Sequence, residues 1–245
     1  MTSMGRAYQN RKESMAKTSD MKAKVYSKYG REIYVCAKAG GFDPDGNLAL
    51  RSLIDRAKKE QVPAHVIEKA IDKAKGGGGE DFSPALYEGF GPAGCMVLVE
   101  CLTDNPNRTF GDVRLCFTKA KSKLGTPGTV QHLFDHLAIF VFKEQGESSE
   151  ETTLDVLMEA DVDVTDIENE DGLISVFTPT TEYAKARQAL LDAFKGIEFE
   201  VDEIQYLAQN PAPLTEADDI EKFELLLALL NDNDDVQNVY HSVEQ

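Results

Sequence analysis

The chain predicts an α+β fold in three parts: a three-helix N-terminal domain, then two α/β domains, the third ferredoxin-like and inserted into the second. Three observations carry this. Apolar residues recur at helix spacing from residue 21 to 75 and then stop at a run of glycines. Strand and helix signals alternate beyond that run. Across residues 137–206 their order is β-α-β-β-α-β, the split unit of ferredoxin-like folds. The expected borders are a basic tail at 1–20, a helical domain at 21–79, a middle domain at 80–136 plus 207–245, and the inserted domain at 137–206.

Each element has its own local reason. The opening MTSMGRAYQNRKESMAKTSD is polar, basic and without apolar period, so it is expected to be disordered when free. MKAKVYSKYGREIYVCAKA places Val25, Tyr29, Ile33 and Cys36 or Ala37 on one helical face, and GG stops the helix. LALRSLIDRAKKEQ puts Leu50, Leu53, Ile54 and Ala57 at helix spacing. Pro63 suits the first turn of a third helix, PAHVIEKAIDKAK, with Val66, Ile67, Ala70 and Ile71 inward. GGGGEDFSP then reads as a helix stop and hinge. ALYEGFG and CMVLVECLT read as strands joined by a Gly-Pro turn, NRTFGDVRLCFTKAKSKLG as a helix, and TVQHLFD as a strand. The inserted unit follows as LAIFVFK, EETTLDVLMEA, VDVTDIE, LISVFTP, TEYAKARQALLDAF and EFEVDEIQYLA. LTEADDIEKFELLLALLNDNDD gives a last helix and VQNVYHSV a last strand, which complete the sheet begun near residue 85.

Composition bounds the function. The chain has 245 residues, 42% hydrophobic and 28% charged, which suits a globular protein with more than one core. Its apolar runs CMVLVECL and AIFVF are too short to span a bilayer, and no basic-then-apolar signal region opens it. A cytoplasmic location is expected. Cys36, Cys95, Cys101 and Cys116 lack C-x-x-C spacing and read as small apolar core residues. The net charge of −17 is segregated: residues 1–79 hold 16 Lys+Arg against 9 Asp+Glu, and the remainder 10 against 34. That asymmetry points to a polyanion-facing element on an acidic body.

No constellation nominates an active site. GFGPAG at 89–94 spells G-x-G-x-x-G, but a dinucleotide loop must open a helix. The residues that follow, CMVLVECL, are strand material, so the glycines are expected to shape a strand-to-strand turn. His132 and His136 are four apart, yet four extended residues span about 13 Å, too far for one metal ion. NDNDD at 231–235 lacks the alternating pattern of a calcium loop and is expected to face solvent. The expectation is no catalysis, no cofactor and no metal.

Binding remains. Lys22, Lys24, Lys28 and Arg31 fall along the first helix, beside a tail carrying Arg6, Arg11, Lys12 and Lys17. Tyr8, Tyr26, Tyr29 and Tyr34 are interleaved and offer rings for bases, Tyr29 doubling as a core residue. A second patch, Arg108, Arg114, Lys119, Lys121 and Lys123, sits on and after the middle-domain helix. Long basic side chains bind phosphate with little sequence preference and with salt-sensitive affinity. The competing reading of either patch is an ordinary solvated surface. A protein-only adaptor, or an enzyme with an unrecognised site, is the alternative of another class.

Several separated stretches resemble one family, the YebC/PmpR-like proteins, in a YeeN-like subgroup. They are MGR at 4–6, KVYSKYGREIYVCAK, RAKKEQVPAHVIEKAIDKAKGGG, YEGFGPAG, TDNPNRT, VQHLFD and DDVQNVYH. The resemblance implies a helical N-terminal domain and two α/β domains, the third inserted in the second. It implies a transcriptional regulator that binds promoter DNA, or alternatively a translation factor that contacts ribosomal or transfer RNA and eases stalls at proline runs. It brings no catalytic residues. The match at MGR also implies that translation starts at Met4. The chain departs from the family's usual opening in RAYQNRKESMAK, which carries Tyr8 and fewer cations, and in HLA at 136–138, which replaces a Gly-containing turn.

Overall fold

The computed structural model describes the backbone of residues 21–76 and 81–244 and, within them, side chains from Lys24 onward. The chain forms two compact units. One is built from the described residues up to Leu133 together with Ala208 onward, and the other is Phe134–Leu207.

The first unit opens with three helices, α1 (Met21–Gly40), α2 (Leu48–Lys59) and α3 (Ala64–Lys75). Their core holds Ile33, Tyr34, Ala37, Leu50, Leu53, Ile54, Ala57, Ile67, Ala70 and Ala74, with Val25, Tyr29, Val66 and Ile71 packed against it. The predicted faces are therefore the buried ones. Asn47 joins two helices: its Oδ1 accepts from Leu50 N–H (3.1 Å) as an N-cap, and its Nδ2 donates to the carbonyls of Cys36 (3.2 Å) and Gly41 (3.0 Å).

A four-stranded sheet follows, in the order β3-β1-β2-β9, from β1 (Ser83–Phe90), β2 (Met96–Thr103), β3 (Lys123–Leu124) and β9 (Val236–His241). Its core side, Val97, Val99, Cys101, Val236 and Val239, packs against Val113, Cys116 and Phe117 of α4 (Pro106–Lys119) and Leu226 and Leu230 of α7 (Ala217–Asp232). Strand β2 pairs β9 antiparallel, Leu98 opposite Tyr240. Asn238 and Tyr240 of β9 both donate to Glu100 Oε2 of β2, at 2.9 and 3.1 Å.

GFGPAG is the turn between β1 and β2, as predicted. Pro92–Gly94 form one 3-10 turn, with Ala93 and Gly94 at φ 51° and 76°, and Gly91 N–H donates to Cys95 carbonyl at 2.7 Å. Gly89 has a packing reason: a Cβ there would stand 2.4 Å from Phe117 and 2.8 Å from the Lys123 carbonyl. TVQHLFD departs from the prediction of a strand throughout. Gln131–Leu133 form a 3-10 turn and the strand β4 (Phe134–Lys143) starts only after it. The buried Glu88 carboxylate is the cause, because it accepts from Gly128, Val130 and Gln131 N–H at 2.5, 2.7 and 2.8 Å. Burial pushes Glu88 up, but those N–H bonds and His132 outweigh it and hold the carboxyl below its ordinary value.

The second unit contains β4 (Phe134–Lys143), α5 (Glu150–Glu159), β5 (Asp166–Glu170), β6 (Leu173–Pro179), α6 (Tyr183–Ala193) and β7 (Phe199–Ala208). Its sheet order, β5-β6-β4-β7, is the ferredoxin-like one, and β6 runs antiparallel to both β4 and β5. Both helices cover one face, burying Phe140, Phe142, Leu157, Val176 and Leu190. Residues Phe134–Leu207 hold four Lys/Arg against nineteen Asp/Glu, so nearly all of the chain's excess negative charge lies in this unit. At the points where the chain leaves and re-enters the first unit, Gln209 N–H donates to Leu133 carbonyl at 3.0 Å. The chain continues through β8 (Ala212–Pro213), which pairs β10 (Val243–Glu244) in parallel. Among the described residues no helix is long and apolar enough to cross a membrane.

Candidate nucleic-acid interface

Arg6, Arg11, Lys12 and Lys17 lie outside the described residues, as does Tyr8, and Lys22 is described in backbone only. The other predicted cations separate into two groups with different surroundings.

Lys24, Lys28 and Arg31 follow one another at helical spacing along α1, and meet in turn the last residue of α7, the start of β9 and the segment between them. Lys24 pairs with Asp232. Lys28 Nζ donates to the Gln237 carbonyl at 3.2 Å. Arg31 Nη1 donates to Asp235 Oδ1 at 2.7 Å and to the carbonyls of Asp234 (2.7 Å) and Leu102 (3.3 Å), while its guanidinium lies 5.3 Å from the centre of the Phe82 ring. Arg108 of α4 reaches the same carboxylate, Nη2 to Asp235 Oδ2 at 2.9 Å, and also pairs with Asp104 at 2.8 Å. Thr109 donates to Asp235 Oδ2 at 2.7 Å, with the Thr103 hydroxyl 3.3 Å from the same oxygen.

Asp235 is thus a shared acceptor between helical lobe and sheet, its side chain only 5% exposed. Burial disfavours its charge, but Arg108, Thr109 and Arg31 outweigh burial and hold its carboxyl below the ordinary value. The expectation that NDNDD faces solvent holds for Asn231, Asp232 and Asp234, which are exposed, and fails at Asp235, which is buried and ion-paired. Single-segment polarity carries no sign of such pairing, because the partners of Asp235 lie 204 and 127 residues away. Tyr34 is corrected likewise. It is buried, packs edge-on against Phe82 (5.9 Å) and is flanked by Lys38 and Lys73, each 5.7 Å from its ring centre, so no base can stack there. Tyr26 and Tyr29 pack against the helical core.

The second group is open. Arg114, Lys119, Lys121 and Lys123 are exposed, and among the described residues none makes an ion pair with a carboxylate, Lys121 acting on Asp218 only as a nearby charge. Phe110 and Leu115, 45% and 50% exposed, stand on the same helix among them. Two turns of α4 explain the alignment: Phe110, Arg114 and Thr118 recur every four residues, as do Gly111, Leu115 and Lys119. The helix ends when Ser122 N–H bonds to Phe117 carbonyl at 2.8 Å and Lys121 takes φ 51°, which projects Lys121 and Lys123 just beyond its C-terminus. Cations there also complement the helix dipole. Exposed Lys58 and Lys69 of the helical lobe likewise make no ion pair among the described residues, and they stand apart from the basic runs of the sequence.

His132 Nδ1 lies 3.2 Å from Gly128 carbonyl, and His136 stacks on Tyr206 at 4.0 Å. Among the described residues no three His, Cys, Asp or Glu side chains stand where they would hold a metal ion. Burial pushes the Cys101 thiol up to about 12 and the Cys95 thiol to about 11, which suits inert packing residues.

Residues 82–243 match a family model described as TACO1/YebC second and third domain, and residues 6–77 one described as TACO1/YebC protein N-terminal domain. A protein from Chromohalobacter salexigens named "Probable transcriptional regulatory protein" is 71% identical over 241 residues, covering 98% of this chain and 99% of its own. A relative of the same name from Alcanivorax borkumensis is 68% identical over the same length, with the same coverage. Among solved structures, a conserved hypothetical protein from Aquifex aeolicus superposes with a TM-score of 0.76 at 33% identity, covering 94% of this chain and 93% of that one.

Proposed function

Because this chain belongs to the TACO1/YebC family, we propose that it is a non-catalytic regulator of gene expression that binds DNA through phosphate-directed contacts. The observation that carries this is the open group on and after α4. Arg114, Lys119, Lys121 and Lys123 are solvated cations that make no ion pair among the described residues, whereas Lys24 and Arg31 of the other basic row are paired with Asp232 and Asp235 and Lys28 meets the Gln237 carbonyl. Phe110 and Leu115 add apolar surface beside them for sugar or base faces. The tail cations Arg6, Arg11, Lys12 and Lys17, with Lys22, extend the contact in this reading. Lys24, Lys28, Arg31 and Arg108 serve instead to join the helical lobe to the sheet. The relatives' names support a role in transcription.

The test has two parts. Sequencing the nucleic acids crosslinked to the protein in cells, with ribosome sedimentation alongside, is expected to return discrete promoter peaks. Ribosomal RNA with cosedimentation would move the same interface to translation, and recovery of neither would sink the reading. In vitro, reversing Arg114, Lys119, Lys121 and Lys123 to Glu is expected to weaken duplex binding and to lower the slope of log affinity against log salt by roughly three to four. An unchanged slope would remove the patch from the interface.

A further inference from the structure

The helical lobe is held to the sheet by charge. The two keep separate cores, and beyond α3 only Phe82, among the described residues, packs on the helical one. Ion pairs and hydrogen bonds supply the junction: Lys24 with Asp232, Lys28 with the Gln237 carbonyl, Arg31 with Asp235 and two carbonyls, and Lys38 with Asp81. Along α1 the first three donors stand one turn apart, and each meets oxygen. A helix offers the same row to a phosphate backbone. The sequence continues it towards the N-terminus through Lys22, Lys17, Lys12 and Arg11. Asp235 is shared in a way that suits parting. When Arg31 leaves, Arg108 and Thr109 still hold the carboxylate, so no bare charge is left buried. Asp232, 76% exposed, simply returns to water.

We propose that Asp232 and Asp235 stand in for nucleic-acid phosphate on α1 and latch the lobe to the sheet. The α1 row is then a second phosphate-binding face, which opens when a polyanion displaces the two acids. The proposal rests on the reading that this protein binds nucleic acid. The solvated α4 patch makes the first contact, and Lys24, Lys28 and Arg31 add theirs once the lobe has parted. Until then the row is withheld from anions at large, because its apparent affinity is lowered by the small fraction of molecules with the lobe open.

The experiment is a mutant cycle on the full chain, read as anisotropy of a fluorescein-labelled duplex. Asp232→Asn with Asp235→Asn is expected to tighten binding roughly ten-fold. In a Lys24→Gln, Lys28→Gln background the same pair should gain at most about two-fold. Equal gains in both backgrounds would overturn the proposal, since diffuse charge then explains them, and so would no gain in either. Circular dichroism checks the fold. Should the double variant fail to fold, Asp232→Asn alone, at its exposed site, repeats the cycle with a gain of about two-fold expected. A second readout needs no nucleic acid: acetylation by an N-hydroxysuccinimide ester, followed by mass spectrometry. Labelling of Lys28 should accelerate several-fold in the double variant, with exposed Lys69 as the reference. Lys28 bonds to a main-chain oxygen that neither substitution removes, so faster labelling reports parting of the lobe. Unchanged labelling would overturn the latch. Failure of the latch and failure of the function are distinguishable. Equal gains in a chain whose binding is lost on reversing Arg114, Lys119, Lys121 and Lys123 sink the latch alone. A chain that binds no duplex at any salt concentration sinks both.

Discussion

Asp235→Ala tests whether the basic row of α1 holds the protein together. The substitution takes a 5%-exposed carboxylate away from Arg31, Arg108 and Thr109. The Arg31 bond is short, charge-assisted and part-buried, worth about 1.5–3 kcal/mol. The Thr109 hydroxyl still has Thr103 and the Asn105 carbonyl within reach, at 2.7 and 3.1 Å, so its loss is about 1 kcal/mol. Arg108 is 48% exposed and keeps Asp104, so no stabilisation is assigned to it. The expected total is about 3 kcal/mol. Asp235→Asn, which keeps an acceptor for Arg31 but turns an amide N–H₂ towards Arg108 and Thr109, should lose roughly half of that. Urea unfolding followed by tyrosine fluorescence reads both, the chain having no tryptophan. The pH dependence has a definite sign. The folded carboxyl is held below its unfolded value of about 3.9, so its contribution is complete above that pH and disappears as pH falls through the folded value. The gap between wild type and Asp235→Asn should therefore be constant from neutrality down to about pH 5 and close below about pH 4. A loss under about 1 kcal/mol for Asp235→Ala would refute the reasoning and return Lys24 and Arg31 to the pool of phosphate ligands.

Other perturbations have equally definite outcomes. Gly89→Ala drives a methyl into Phe117 and the Lys123 carbonyl and should cost about 2–3 kcal/mol by chemical denaturation. Gly111→Ala, in the exposed middle of α4 with open space around it, should instead stabilise by about 0.5–1 kcal/mol. Glu88→Gln keeps one acceptor oxygen but loses the charge that gathers three N–H groups. Hydrogen exchange at Gly128, Val130 and Gln131 should accelerate, while amides of the β4–β6 pairing stay unchanged.

Periodicity made most of the architecture legible. Leu50, Leu53, Ile54 and Ala57 recur at helix spacing and are buried in α2, and the β-α-β-β-α-β order of the inserted unit is present in its sheet. GFGPAG was readable because a nucleotide loop must open a helix and CMVLVECL does not form one. Misreadings fell where a distant group overrides local pattern. TVQHLFD has strand composition, but Glu88, some forty residues upstream, draws its N–H groups into a turn. NDNDD is polar enough for solvent, but Arg31 and Arg108 bury its last carboxylate. The α1 cations were legible as a row and not as partners, because lysine spacing is the same whether the counter-charge is a phosphate or an aspartate. Arg114 and Lys119 could be placed from sequence because helix spacing exposes them, whereas Lys121 and Lys123 owe their exposure to the turn that ends α4.

The hydrogen bond from Gln209 N–H to Leu133 carbonyl has a consequence for how the first sheet assembles. Strand β2 must find β9 at long range; Met96 N–H, for instance, meets Ser242 Oγ 146 residues away. Closing so long a loop in a flexible chain is entropically expensive and slow. Residues Phe134–Leu207 form a unit compact in its own contacts; with that unit formed, its two ends lie together and a far shorter effective loop is left for β2 and β9 to close. Destabilising that unit should slow formation of a sheet to which it contributes no strand.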